Sequence, residues 1–326
     1  MHTAAMHTTA SAQQTYAEAF RQHQRLLWAM LYRLTGCAAD ADDLVQETFV
    51  RAMEHPPQRA NESWRPWLVR VAMNLGRDLL RRRKRRAYVG PWLPSPVETD
   101  DEAEPPGYEP TIHGALTTEG RYDLLESVSV AFLLALEALT PQQRAVLLLM
   151  DVFDYAVRET ADALGISAAN VKTTHHRARR AMQAYDRHRR PPTRRLQEQT
   201  RDALTRFVTA LAGQDIGAVE ALLAEGVRAV SDGAGEFFAA RVPVNGPQRV
   251  ARFHWNISQR RAGGSRAAVR LVNGLPALVA EFHDRKRGEP PRAVLWCETD
   301  DSGRITRVYT VVASRKLTAV RFTAAE

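Results

Sequence analysis

The residues with the clearest chemical purpose lie between Asp154 and Met182. Asn170, Lys172, Thr173, His176, Arg177, Arg179 and Arg180 bring together amide, hydroxyl, imidazole and cationic groups, the side chains that read base edges and hold phosphates. They can act together only from one face of one element. Val171, Thr174, Ala178 and Ala181 recur at the spacing of a buried stripe, which predicts a helix from Ser167 through Arg180 with the polar and basic groups turned outward. Ser167 suits the N-cap, and Gly165 suits the left-handed corner that would end a shorter helix over Glu159–Leu164. Helix, glycine corner and capped helix make a helix-turn-helix outline. A solvated basic helix in an ordinary bundle fits the same pattern, since trihelical cores also use glycine corners.

A second constellation begins at Asn61, Glu62 and Ser63, turn and capping residues, and enters Trp64-Arg65-Pro66-Trp67. Proline is tolerated in a first helical turn, so a helix is expected from about Arg65 through Leu68, Val71, Ala72, Leu75, Leu79 and Leu80 into Arg81–Arg86. Aromatic groups at one end and cations at the other suit stacking on unpaired bases while neutralising phosphates; core tryptophans with a solvated tail are the plainer alternative.

The chain of 326 residues is long enough for two or three compact units, and its 44% hydrophobic content supports real cores. A formal charge of +8 favours a polyanionic partner. Cys37 and Cys297 stand far apart with no metal-ligand spacing, so two free thiols in a reducing cytoplasm are expected, with no cofactor and no metal. Met1–Gln14 has no secretory pattern and no apolar run approaches a membrane span, so a soluble protein without membrane contact is expected.

Residues 1–14 are read as unstructured. Helical periodicity runs from Ala17 to Leu34, with Gly36 as the stop. A second helix follows, which Asp40 can cap and in which Leu44, Val45, Thr48, Phe49 and Ala52 form an apolar stripe. Residues 88–121 are rich in proline and carboxylates and read as an acidic linker without a core. Tyr122–Leu139 is helical in period, and Thr140-Pro141-Gln142-Gln143 reads as the start of another helix. Beyond a short linker at 189–195, helices over Leu196–Ala212 and Ile216–Leu223 precede five strand-like segments between Val227 and Val312. Helices followed by a curved sheet describe an α+β domain. The whole is therefore two all-α domains followed by an α+β domain.

Arg33–Ala52, with Asp40, Asp42, Asp43, Val45, Gln46 and Phe49, resembles region 2 of bacterial extracytoplasmic-function sigma factors, and Trp67–Arg86 with Asn74 and Asp78 continues it. Thr140–Met182 resembles region 4. Leu196–Leu317 is similar to a SnoaL-like domain of the nuclear-transport-factor-2 fold. The resemblance implies domains at 15–87 (region 2), 122–188 (region 4) and 196–326 (SnoaL-like). Core RNA polymerase would be bound by Asp40, Asp42, Asp43, Val45, Gln46 and Phe49. The melted minus-10 element would be held by Asn61, Ser63, Trp64, Trp67, Asn74, Arg77, Arg81, Arg82 and Arg85. The minus-35 duplex would be read by Ser167, Asn170, Lys172, Thr173, His176, Arg177 and Arg180.

Sigma factors with this fused domain are expected to regulate themselves in cis through three motifs. A Trp-Leu-Pro-acidic-Pro motif stands here as Trp92-Leu93-Pro94-Ser95-Pro96. Asp-Gly-Gly-Gly-Lys stands as Asp232-Gly233-Ala234-Gly235-Glu236, and Asn-Pro-Asp-Lys-Leu as Ala313-Ser314-Arg315-Lys316-Leu317. The implied regulatory residues are Trp92, Leu93, Pro94, Pro96, Asp232, Gly233, Gly235, Lys316 and Leu317. Two other readings stay open. One is a pocket in the C-terminal domain, an enzyme using Asp232, His254, Glu281 or His283 or a sensor of an unidentified small ligand. The other is a stand-alone helix-turn-helix repressor, which leaves Asp40–Phe49 and Trp64–Arg86 without a task.

Overall fold

The computed structural model describes residues 2–55, 63–85, 88–99, 122–261, 265–283 and 286–322, with side chains from residue 17 onward. The described chain divides into two compact units: residues 2–55, 63–85, 122–127 and 135–188 form the first, and residues 88–99, 128–134, 189–261, 265–283 and 286–322 the second.

In the first unit α1 (His2–Thr35), α2 (Ala38–Glu54) and α3 (Trp64–Arg85) pack on one another. Leu27, Met30, Leu31 and Leu34 of α1 face Leu44, Thr48 and Ala52 of α2 and Leu68, Ala72 and Leu75 of α3, all buried at helical spacing. Gly36 ends α1 with φ +68, a conformation glycine adopts without strain. Helix α1 begins at His2, a correction to the reading of residues 1–14 as unstructured; that run has no glycine or proline to break the helix. Asp40 is not the cap of α2 either. Cys37 occupies that position, and Asp40 lies in the first turn, where its charge still complements the helix dipole.

The helical period expected over Tyr122–Leu139 is broken into short turns and α4 (Val130–Ala135). Helix α5 (Pro141–Leu147) starts as expected: Thr140 Oγ1 accepts from Gln143 N, and Gln143 Oε1 accepts from Thr140 N. It runs into one π-helical turn, Leu148–Val152, before α6 (Val157–Leu164) and α7 (Ala168–Arg187).

The second unit is an α+β domain. Helices α8 (Arg194–Ala212), α9 (Ile216–Ala221) and α10 (Pro247–Arg261) accompany strands β1 (Leu223–Asp232), β2 (Val244–Asn245), β3 (Ser265–Val272), β4 (Leu275–Phe282), β5 (Arg292–Thr299) and β6 (Ile305–Val311). The sheet order is β2-β1-β6-β5-β4-β3, antiparallel except where β1 pairs with β6. Alternation along the strands gives it two apolar faces. Val227, Ala229, Cys297 and Val308 meet the helices through Leu204, Phe207, Val219, Val250 and Ala251. Trp296 and Tyr309, stacked 5.5 Å apart, lie on the other face with Val279, Val294 and Val311, and there the cover is Leu93, Val130, Leu317 and Val320. Residues 88–99 are therefore part of a core, which corrects their reading as a linker without one.

Candidate functional site

The helix-turn-helix corner is built as its residues suggest. Gly165 caps α6 with φ +65 and ψ +40, Ile166 N donates to Ala161 O, and Ser167 Oγ accepts from Asn170 N at 3.2 Å. Val171, Thr174, Ala178 and Met182 form the buried face of α7; Ala181 is exposed, because the stripe advances by four residues after Ala178 to keep the longer methionine inside. Ser167, Asn170, Lys172, Thr173, His176, Arg177 and Arg180 are all exposed. Asn170 is pre-set, its Oδ1 accepting from Thr174 Oγ1 at 2.9 Å and Gln142 Nε2 at 3.4 Å.

Sequence reasoning missed what fixes the rotation of α7. Asp151, buried in the π-helical turn, places its Oδ1 2.8 Å from His175 Nε2 and accepts from Arg179 Nη1 at 3.3 Å. The signal was present as two basic residues four apart on the inward side of the helix.

On α2, Asp42, Asp43 and Gln46 are exposed and Asp40 is half-buried, whereas Val45 and Phe49 are buried; Phe49 packs edge-on against Phe20 at 4.8 Å. Those two apolar side chains set the helix in place rather than form its outer surface. Asp42 accepts from Trp28 Nε1 at 2.7 Å, and partial burial raises its pKa.

Ser63, just before α3, and Arg81 and Arg82 on it are exposed and Trp64, Trp67 and Asn74 half-buried, while Arg81 pairs with Asp78 at 2.7 Å. Asn61 and the Arg85 side chain lie outside the described residues. Arg77, expected to hold DNA, is buried: it donates to Leu164 O at 3.1 Å and to Asn74, and desolvation lowers its pKa. Arg70 donates to Asp162 O at 2.9 Å. The last carbonyls of α6 thus draw guanidinium donors from α3. The end of α1 is treated alike, Arg144 donating to Leu34 O at 3.0 Å and Arg83 to Thr35 O at 2.7 Å, with Glu137 pairing both cations.

The expected regulatory residues assemble in the second unit around one carboxylate. Asp232, fully buried, accepts from Leu93 N at 2.7 Å, Tyr88 OH at 2.6 Å and Ala234 N at 3.1 Å, and it pairs with Lys316. The Lys316 ammonium also donates to Leu93 O and stands 4.5 Å from the Trp92 ring centroid and 4.9 Å from that of Tyr88. Pro94 and Pro96 are buried beside it, and Leu317 joins the core that holds Leu93. A Cβ at Gly233 would stand 2.9 Å from Ala239 Cβ and 3.0 Å from Phe237 O, so that glycine is required. Glu236 and Ser314 both depart from the expected motifs, and they meet: Glu236 accepts from Ser314 Oγ at 2.6 Å and from Ser314 N at 2.9 Å, a donor that proline would lack.

The four acid–base candidates are not brought together. Asp232 is occupied as described, Glu281 pairs with Arg292 at 3.1 Å, and His283 is exposed at the end of β4. His254 lies on α10 between Phe207 and Phe253, its Nε2 without a hydrogen-bond partner among the described residues. Burial lowers its pKa from 6.5 to about 4. The folded state therefore binds fewer protons than the unfolded state between those values. The stability it permits is complete above pH 6.5 and falls as pH drops toward 4, by about 3 kcal/mol in total. Denaturation of a His254→Phe variant should lose most of this pH dependence; an unchanged profile would place the responsible group elsewhere.

Two helical regions, one ending in a helix-turn-helix, with an intervening segment bound by an α+β domain, define a DNA-binding transcription factor of several domains. The Sigma-70 region 2 model matches residues 19–86 and the Sigma-70, region 4 model residues 129–182. The chain is 33% identical over 263 residues to the ECF RNA polymerase sigma factor SigJ of Mycobacterium tuberculosis, covering 79% of this chain and 77% of that protein. SigG of the same species is 34% identical over 282 residues, with coverages of 78% and 70%. The crystal structure of SigJ aligns with a TM-score of 0.65 at 27% identity, over 96% of this chain and all of that one. The chain belongs to the extracytoplasmic-function RNA polymerase sigma factors, with an α+β domain following its two sigma regions. No helix among the described residues is long and apolar enough to cross a membrane.

Proposed function

We propose that this sigma factor directs core RNA polymerase to its promoters and is controlled by its own C-terminal domain through the clasp on residues 88–99. The observation that carries the regulatory reading is the Asp232–Lys316 pair closed over the Leu93 backbone and ringed by Tyr88 and Trp92. A segment between two promoter-reading regions must be free to extend when the regions separate along DNA. Holding it in a buried ion pair makes that freedom depend on the second unit.

Within this reading, Asp40, Asp42, Asp43 and Gln46 offer the polymerase-binding surface of α2. Asn61, Ser63, Trp64, Trp67, Asn74, Arg81, Arg82 and Arg85 serve the melted minus-10 strand, joined by Arg77 once it leaves Leu164. The exposed face of α7 reads the minus-35 duplex in the major groove. Purified core polymerase tests the proposal with the full chain and with chains ending near Pro192 and near Lys316, on a mapped promoter. Initiation should require this protein and should change in amount when the clasp is removed. Equal output from all three chains would overturn the regulatory reading, and no initiation from any would overturn the promoter reading.

A further inference from the structure

Positive charge gathers in two parts of this protein: residues 15–87, at +6 and offset by −6 in residues 88–121, and the C-terminal domain. Residues 189–326 hold 23 lysines and arginines against 14 aspartates and glutamates, a net of +9, which leaves residues 1–188 at −1. Much of that excess stands on helix α10, which carries four arginines and no carboxylate. Its buried side is Val250, Ala251 and His254, and Arg249, Arg252, Asn256 and Arg260 are all exposed. At about 100° per residue these four occupy a strip about 80° wide, opposite the buried side and about 16 Å long, close to the axial rise of five base pairs. Arg194 and Arg195 add exposed cations at the start of α8, which packs beside α10. Arg194, Arg195 and Arg249 stand in first helical turns, where the helix dipole disfavours cations, so local electrostatics do not explain them.

We infer that the C-terminal domain is a second DNA-binding surface, in which the Arg249–Arg252–Arg260 strip holds the phosphate backbone of duplex on the outer side of the minus-35 element. The inference rests on the proposed reading of that element by α7. Chain connectivity supplies the reach: α7 ends at Arg187 and α8 begins at Arg194, so the first cations of the domain lie no more than about 25 Å, or about seven base pairs, from the end of the reading helix. A polymer of evenly spaced charge suits a row of arginines, which grip phosphate oxygens in pairs and need no base sequence. The chain's own acidic segment is a weaker match for the strip, because its carboxylates crowd into residues 100–104 instead of repeating at even intervals.

The test uses the full chain bound to core polymerase and two promoter duplexes, one extending about 15 base pairs beyond the minus-35 element and one ending at it, with R249Q/R252Q/R260Q beside the parent. Three lost phosphate contacts should flatten the slope of log affinity against log salt by about 2.7 on the extended duplex, so that the affinity change between 50 and 200 mM salt shrinks by about fortyfold. The short duplex should bind parent and variant alike. Equal slopes for the two proteins on the extended duplex, or the same loss on both duplexes, would overturn the inference while binding of the short duplex keeps the minus-35 reading intact. Failure of the parent to hold the short duplex would instead sink that reading. Circular dichroism and clasp integrity should be unchanged by the three exposed substitutions, and a variant that unfolds is replaced by the single changes R252Q and R260Q, each expected to flatten the slope by about 0.9.

Discussion

Replacing Lys316 by methionine should destabilise the second unit by about 3 kcal/mol, because it leaves the fully buried Asp232 carboxylate without its cation. The stem of methionine fills much of the space of the lysine stem, so packing changes little and the charge change dominates. Tyr88 OH, Leu93 N and Ala234 N would still donate to the carboxylate, which places the effect at the lower end for a broken buried pair. Adding Asp232→Asn should recover most of the loss, since no charge is then left buried. Denaturant unfolding followed by tryptophan fluorescence measures both variants, with the two units fitted as separate transitions. The same single change should expose residues 88–99 to proteases, because Lys316 is also the donor to Leu93 O. Unchanged stability together with unchanged cleavage would show that the pair does not hold the segment.

Reversing charge on α7 should have the larger effect on transcription. Arg177 is exposed, and Arg177→Glu sets a carboxylate against DNA where a cation stood. One base contact of this kind carries about 1–3 kcal/mol, so initiation from a duplex promoter should fall by about fivefold or more at moderate salt. The loss should vanish on a template whose activity does not depend on a minus-35 element. Asp151→Asn, which weakens the hold on His175 and Arg179 without touching the exposed face, should give a smaller loss with the same template dependence. Abortive-initiation assays on the two templates compare all three proteins. A fall of equal size on both templates would mean that the substitutions damage the fold or polymerase binding rather than promoter reading.

The recognition helix was legible in the sequence because three independent local signals agree there: an apolar period, a capping serine and a corner glycine. Helix α10 was not. Its buried set is Val250, Ala251 and His254, a weak apolar stripe set among β-rich segments, and only Gly246-Pro247 marks its start. The clasp was half legible. Resemblance picks out its residues, but Leu93 meets Asp232 and Lys316 across 139 and 223 positions, and no local pattern encodes such pairings. Arg77 shows the limit from the other side. A cation on a basic helix looks like a DNA contact until the carbonyl end of another helix, 87 positions away, is found to accept from it.

The parallel pairing of β1 with β6 also sets a schedule for synthesis. Both promoter-reading regions have been translated by His188, whereas Lys316 follows 128 residues later. At about 5–20 residues per second that interval lasts roughly 6–25 s. Throughout it the emerging polypeptide has its reading helices but neither the last strand of the sheet nor the lysine that closes over Leu93. The contact of Lys316 with Asp232 and Leu93 O can therefore form only after both helical regions have left the ribosome.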